Sequence, residues 1–181
     1  PKTGTGNDLN AVQRTVNSYQ LGSNYYLIDA TKSMYSASQS SLPDDPSGAI
    51  WTLDAGNTPA TTFNNITSTS ANFSNTKGVS AHYNAGIAYD YYMSTFSRNS
   101  INGSGGTIIS VINVSDASGN GLDNAYWNGQ LMAYGNGKTV FKPLAGGIDV
   151  AGHEMTHGFD DQGSQYDEKG RSEERRVGKE C

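Results

Sequence analysis

Gly146-Gly147-Ile148-Asp149-Val150-Ala151-Gly152-His153-Glu154-Met155-Thr156-His157-Gly158 is the stretch whose reading decides the fold. Gly146-Gly147 is a break, and a helix is predicted to begin near Ile148. On that helix His153-Glu154-Met155-Thr156-His157 forms an H-E-x-x-H motif. Residues four apart share a helix face, so the imidazoles of His153 and His157 can both reach one tetrahedral zinc ion. Glu154 follows His153 directly, which places its carboxylate beside the open position of such an ion rather than in its ligand set. From there it can take a proton from an activated water and later pass it to a leaving amine. The bland alternative is a packed helix with accidental spacing. Against it stand the Gly-Gly break, the predicted helix, and the fact that Glu154 is the only glutamate in the first 157 residues. Asp149, one turn before His153, suits either a helix N-terminal carboxylate favoured by the dipole or a calcium ligand.

The composition around this motif is uneven. The chain has 181 residues, a net charge of -5 and 16% charged residues, below the roughly 25% of ordinary globular chains. It lacks the basic surplus of a nucleic-acid binder, and no apolar run approaches the roughly 20 residues of a membrane span. The single cysteine, Cys181, excludes a disulfide scaffold and a CxxC redox site. Residues 158–181 hold 12 of the 29 Asp, Glu, Lys and Arg side chains. The first 157 residues are instead rich in Gly, Asn, Ser, Thr and Tyr, the look of a secreted, loop-rich domain that relies on bound ions.

Working upstream, Val12–Tyr19 and Tyr25–Thr31 read as two strands of a hairpin turned at Gly22-Ser23-Asn24. Residues 32–78 read as irregular, with Thr61–Ala71 a surface loop. Ala81, Ala85, Ala88, Tyr92 and Phe96 recur at helical spacing, which predicts a helix over Ser80–Arg98 with Ser80 as its N-cap. His82, on that helix, reads as a packed or hydrogen-bonded residue. Thr107–Val114 reads as a strand, Tyr126–Tyr134 as a strand broken at Gly129, and Gly135-Asn136-Gly137-Lys138 as a hairpin-type turn.

These segments carry a resemblance. Tyr25-Tyr26-Leu27-Ile28-Asp29, Ala81-His82-Tyr83-Asn84-Ala85-Gly86 with Tyr89-Asp90-Tyr91-Tyr92, Asn124-Ala125-Tyr126-Trp127-Asn128-Gly129, and Gly146–Val150 before H-E-x-x-H occur in the order seen in thermolysin-like (bacillolysin) neutral metallopeptidases. The resemblance implies an α+β fold: a β-rich N-terminal domain with a central helix and the zinc helix, the helical C-terminal domain being absent. It implies a secreted, extracellular, monomeric zinc endopeptidase stabilised by calcium. Such an enzyme acts on peptides or proteins with bulky apolar residues after the scissile bond, and has no nucleic-acid or membrane partner. Carried over by position, His153 and His157 ligate zinc and Glu154 is the general base. Asp149 matches a calcium ligand, and Asn124, Ala125 and Trp127 bind the extended substrate backbone.

Past Gly158 the resemblance ends, giving an expected first domain over 1–158. The family's third zinc ligand, a glutamate roughly twenty residues beyond the second histidine, would fall near Val177, which cannot bind zinc. Residues 153–170 resemble instead neprilysin-like metallopeptidases: His153-Glu154-Met155-Thr156-His157-Gly158-Phe159-Asp160-Asp161-Gln162-Gly163 is similar to their zinc helix and Gln165-Tyr166-Asp167 continues the likeness, giving an expected stub over 159–170. Residues 171–181 resemble the conceptual translation of a sequencing adapter. The expectation is a chimeric chain, inactive on its own, with residues from 160 onward packing poorly and adding nothing to the pocket. A neprilysin-like peptidase and a non-catalytic, secreted β-rich binding domain are the alternatives.

Overall fold

The computed structural model describes residues 1–167, with side chains to Asp161; the expectations for 168–181 lie outside the described residues. The elements in chain order are β1 (Lys2–Asn7), β2 (Gln13–Leu21), β3 (Asn24–Tyr26), β4 (Ile28–Asp29), β5 (Ile50–Thr58), β6 (Asn64–Asn65), β7 (Thr67–Ser68), β8 (Asn72–Phe73), α1 (Thr76–Phe96), β9 (Ile108–Val114), β10 (Ala125–Trp127), β11 (Met132–Gly135) and α2 (Ile148–Asp167). Two sheets result, one ordered β7-β3-β2-β1-β8 and one ordered β10-β11-β9-β5-β4, with β6 added to β5. The architecture is the expected α+β arrangement: a β-rich body, a central helix and the motif helix.

The predicted hairpin forms between β2 and β3, with Tyr19 opposite Tyr26 and Leu21 opposite Asn24. Its second strand does not continue to Thr31. Leu27 is fully buried, and the chain passes at this point into the other sheet, where Ile28 pairs with Trp51. Residues 32–78 are not irregular throughout. β5 lies between β4 and β9 and runs parallel to β9, burying Ile50, Thr52, Leu53 and Ala55. Its Thr, Asp, Gly and Asn residues hid it among polar neighbours. The surface loop at Thr61–Ala71 contains β6, β7 and the buried Ile66.

β1 escaped prediction because its inward positions are glycines, not apolar side chains. A Cβ on Gly6 would lie 2.5 Å from Phe73 O and 2.7 Å from Val79 Cγ2. Close backbone approach to the core therefore replaces the alternation by which strands are recognised.

The central helix starts four residues earlier than predicted. Its N-cap is Asn75, whose Oδ1 accepts from Gly78 N at 2.9 Å. Ser80 lies inside the helix and accepts from Leu9 N instead. The first turn was masked by Gly78, a poor helix former held there because a Cβ would meet Ile66 Cδ1 at 2.7 Å. The helix ends at Phe96, followed by Ser97 in the left-handed region with φ 53°. Val79, Ala81, Ala85 and Ala88 form the buried face, and these short side chains let α1 approach both sheets and α2 closely.

The core joins Leu27, Ile50, Phe73, Val79, Ile108, Ile112, Met132, Tyr134 and Met155, with a smaller cluster of Leu53, Val111, Val114 and Leu131 across the second sheet. Met155, from the motif helix itself, is thus a core residue. The interrupted strand is an antiparallel pair, β10 with β11, in which Ala125 faces Tyr134 and Trp127 faces Met132. The turn predicted at 135–138 is not a hairpin: Gly135 still pairs in β11 and the chain runs on through an unpaired loop to Pro143. No helix among the described residues is long and apolar enough to cross a membrane.

Candidate metal centre

α2 follows a 3-10 turn at Leu144–Gly146, which Asn84 of α1 fastens by donating Nδ2–H to Ala145 O at 3.1 Å. Ala151, Glu154, Met155 and Gly158 form the helix's buried side. His153, Thr156, His157 and Asp160 are exposed. The spacing therefore delivers what the motif implied, with both histidines on one open face. Their Nε2 atoms lie 2.9 Å apart and their rings stand perpendicular, with centroids 4.5 Å apart. Two imidazole nitrogens sharing one tetrahedral zinc at about 2.0–2.1 Å would be about 3.3 Å apart. The pair thus fits such an ion with a shift of a few tenths of an ångström. Among the described residues no group of three or more His, Cys, Asp or Glu gathers to hold a metal, so the protein donors found here are these two.

Glu154 is only 4% exposed, yet it lines the clefts on both sides of the histidines. Below it, burial and then the neighbouring Glu154 carboxylate push the Tyr134 hydroxyl up, against the opposing effect of Ser110. Tyr134 therefore stays protonated across the ordinary pH range.

The larger cleft, about 730 Å³, is bounded by residues 124–129 on one side and by His153, Glu154, His157, Asp160 and Asp161 on the other. β10 is the edge strand of its sheet, so Asn124, Ala125 and Trp127 border an open strand edge across from the histidines. Trp127 Nε1–H donates to Asp161 Oδ2 at 3.3 Å, joining the strand to the helix across the cleft. This corrects the expectation at Asp160 and Asp161, which line the pocket; the same expectation for side chains from 162 onward lies outside the described residues. Phe159 is also well packed, edge-on to Tyr92 at 4.3 Å and beneath the Arg98 guanidinium at 4.6 Å.

A second cavity, about 480 Å³, adjoins the first on the N-terminal side of α2 and is lined by Asp123, Phe141, Leu144, Asp149 and Val150 together with Asn124, Ala125, His153 and Glu154. Asp149 thus lies in the first turn of α2, as predicted, but among the described residues no set of three carboxylates assembles around it. Sequence reasoning missed Asp123. Its two oxygens accept from the backbone N–H groups of Lys138, Thr139, Val140 and Phe141 and from Thr139 Oγ1. The Thr139 hydroxyl, followed by the Lys138 and Thr139 amides, holds this carboxyl far below the usual carboxylate range. Nothing in the sequence pairs Asp123 with a loop fifteen residues away.

His82 is packed and hydrogen-bonded, as expected, and among the described residues it joins no cluster of metal-ligating side chains. It is buried, with Nε2 2.8 Å from Asn17 O and Nδ1 2.8 Å from Thr52 Oγ1. Because the Asn17 carbonyl can only accept, Nε2 carries the proton and Nδ1 accepts from Thr52. The imidazole is neutral, and burial lowers its pKa.

Comparison with known proteins agrees with this geometry. The pattern of the family described as thermolysin metallopeptidase, catalytic domain, matches residues 3–161. Bacillolysin of Bacillus cereus is 40% identical over 169 residues, covering 90% of this chain and 26% of that protein. Neutral protease NprE of Bacillus pumilus is 36% identical over 162 residues, covering 86% and 48% respectively. The chain thus spans between about a quarter and a half of the length of these relatives. A solved structure, the precursor of protealysin, a metalloproteinase from Serratia proteamaculans, aligns with a TM-score of 0.54 at 26% identity, over 61% of this chain and 34% of that one. With a match over most of its length, and with paired histidines set opposite an open strand edge, the chain belongs to the thermolysin metallopeptidase family.

Proposed function

We propose that the chain is the substrate-strand and zinc-helix part of a secreted zinc endopeptidase. The observation that carries this reading is the convergence of His153 and His157 Nε2 at 2.9 Å in a cleft whose opposite wall is an edge strand. Zinc held by the two histidines would supply Lewis acidity toward the scissile carbonyl and lower the pKa of the attacking water to about 7. An extended peptide adds along Asn124–Trp127 as a further strand, its backbone satisfying the unpaired groups of β10. Its side chain after the scissile bond enters the cavity walled by Phe141, Leu144 and Val150. Glu154 accepts the proton of the attacking water and delivers it to the departing amine. Burial of Glu154 beside Tyr134 keeps its carboxylate in one place for both transfers.

Two histidines make an incomplete zinc site, so we assign the 181-residue chain little or no activity alone, and a third donor outside the described residues to the working enzyme. Calcium at Asp149 also needs partners from elsewhere. The concentration of charge past this domain supports a foreign origin for the tail beyond residue 161, where the family match ends; an intact transcript encoding residues 162–181 after this domain would refute it. The function is tested by fusing residues 1–158 to a complete thermolysin-like C-terminal half and measuring casein hydrolysis with zinc. Activity is expected, with a loss of about a thousandfold or more in Glu154→Gln. Activity that survives in Glu154→Ala would reject the general-base role.

A further inference from the structure

We propose that Asp123 is a positioning residue that sets the side-chain selectivity of the cleft by holding the 138–141 loop as its wall. The inference rests on the peptide-cleft reading above and concerns a residue that this reading does not use.

The loop has little else to give it shape. It pairs with no strand, Val140 is 77% exposed and Phe141 53% exposed, so apolar burial does not fix it. Its polar ties are a hydrogen bond from Gly137 N to Leu122 O, an ion pair of Lys138 with Asp116, and the five donors gathered on Asp123. Oδ1 takes the amides of Lys138 and Phe141, while Oδ2 takes the amides of Thr139 and Val140 and the Thr139 hydroxyl. Hydrogen bonds to an ionised acceptor are the stronger kind, and four consecutive amides on one carboxylate leave the loop few alternative conformations.

Two consequences meet at this residue. Phe141 lines the 480 Å³ cavity, and its amide is one of the donors. Asp123 also directly precedes Asn124 and Ala125, where the peptide backbone would lie. One carboxylate therefore fixes the distance between the backbone track and the wall that meets the side chain. An amide cannot replace it: Asn at 123 keeps the shape but presents N–H groups to donors that now face an oxygen.

The test uses the full chain, loaded with zinc, and two acetylated, amidated tetrapeptides, Ala-Gly-Leu-Ala and Ala-Gly-Gly-Ala, with binding followed by NMR titration. The wild-type chain should bind the Leu peptide at least about tenfold more tightly than the Gly peptide. Asp123→Asn should bring the two within about twofold and abolish hydrogen-exchange protection at 138–141 alone. Thr139→Val, which removes only the hydroxyl donor, should narrow the preference partially and covers the case in which Asp123→Asn does not fold. A preference retained in the folded variants overturns the role of Asp123 while leaving the peptide cleft intact. Absence of any preference in the wild-type chain overturns both the side-chain pocket and the wall assigned to it.

Discussion

The hydroxyl of Tyr92 lies 2.6 Å from Thr156 Oγ1. Because the Thr156 hydroxyl donates to Gly152 O at 2.8 Å, Tyr92 is the donor of the pair. The central helix thereby grips the motif helix at Thr156, directly before His157, and the Tyr92 ring packs edge-on against Phe159 one turn later. Tyr92→Phe should keep the ring contact and lose the hydrogen bond, at a cost of about 0.5–1.5 kcal/mol. Chemical denaturation measures this directly, and an unchanged midpoint would show that the contact contributes nothing.

His82 gives the fold a dependence on pH. The imidazole is neutral when folded, its pKa lowered by burial, against about 6.5 in the unfolded chain. The unfolded state therefore binds the extra proton first. The contribution of His82 is fully present above about pH 6.5 and is lost as pH falls through that value toward the folded pKa. Asp29 acts in a lower window. Burial would raise its pKa, but hydrogen bonds from Thr31 and Asn17 outweigh burial and hold it below the usual value. Its contribution is thus present above about pH 4 and lost below. Denaturation midpoints at pH 7.5 and 5.5 should fall in the wild-type chain and fall less in His82→Gln. Equal losses in both would remove His82 as the cause.

Gly6→Ala should destabilise by about 1–3 kcal/mol, the range for overpacking a filled site, because the new Cβ would stand 2.5 Å from Phe73 O. The same substitution at Gly22, where nothing lies within 4 Å, meets no such contact and carries only the cost of its positive φ of 59°. Comparing the two by thermal unfolding separates close packing from backbone conformation. A smaller loss at Gly6 than at Gly22 would contradict the close approach of β1 to the core.

What the sequence revealed and what it concealed follow from how each residue signals its place. His153, Glu154 and His157 were legible because a helix converts a spacing of four into a shared face without help from the rest of the fold. Ala81, Ala85 and Ala88 gave the central helix for the same reason. β1 and β5 stayed hidden because Gly4 and Gly6 fill inward positions by having no side chain, and because β5 carries Asp54, Gly56 and Asn57 in a central strand. Asp123 and Asp161 were invisible for another reason. Their partners, the loop at 138–141 and Trp127, are brought to them only by tertiary packing.

Trp127→Phe should leave the ring in the cleft while removing the bond to Asp161. A loss of about 0.5–1.5 kcal/mol is expected, with weaker binding of extended peptides, since strand and helix are no longer tied. NMR titration with the Ala-Gly-Gly-Ala peptide reads this, and unchanged affinity would confine the Trp127–Asp161 contact to a structural role.

The most direct test of the central claim is a calorimetric zinc titration of the 181-residue chain beside its His153→Ala and His157→Ala variants. One zinc per chain is expected, bound no more tightly than the micromolar range because two imidazoles supply the ligands, with binding lost in either variant. Nanomolar affinity, or zinc binding that persists in both variants, would contradict it.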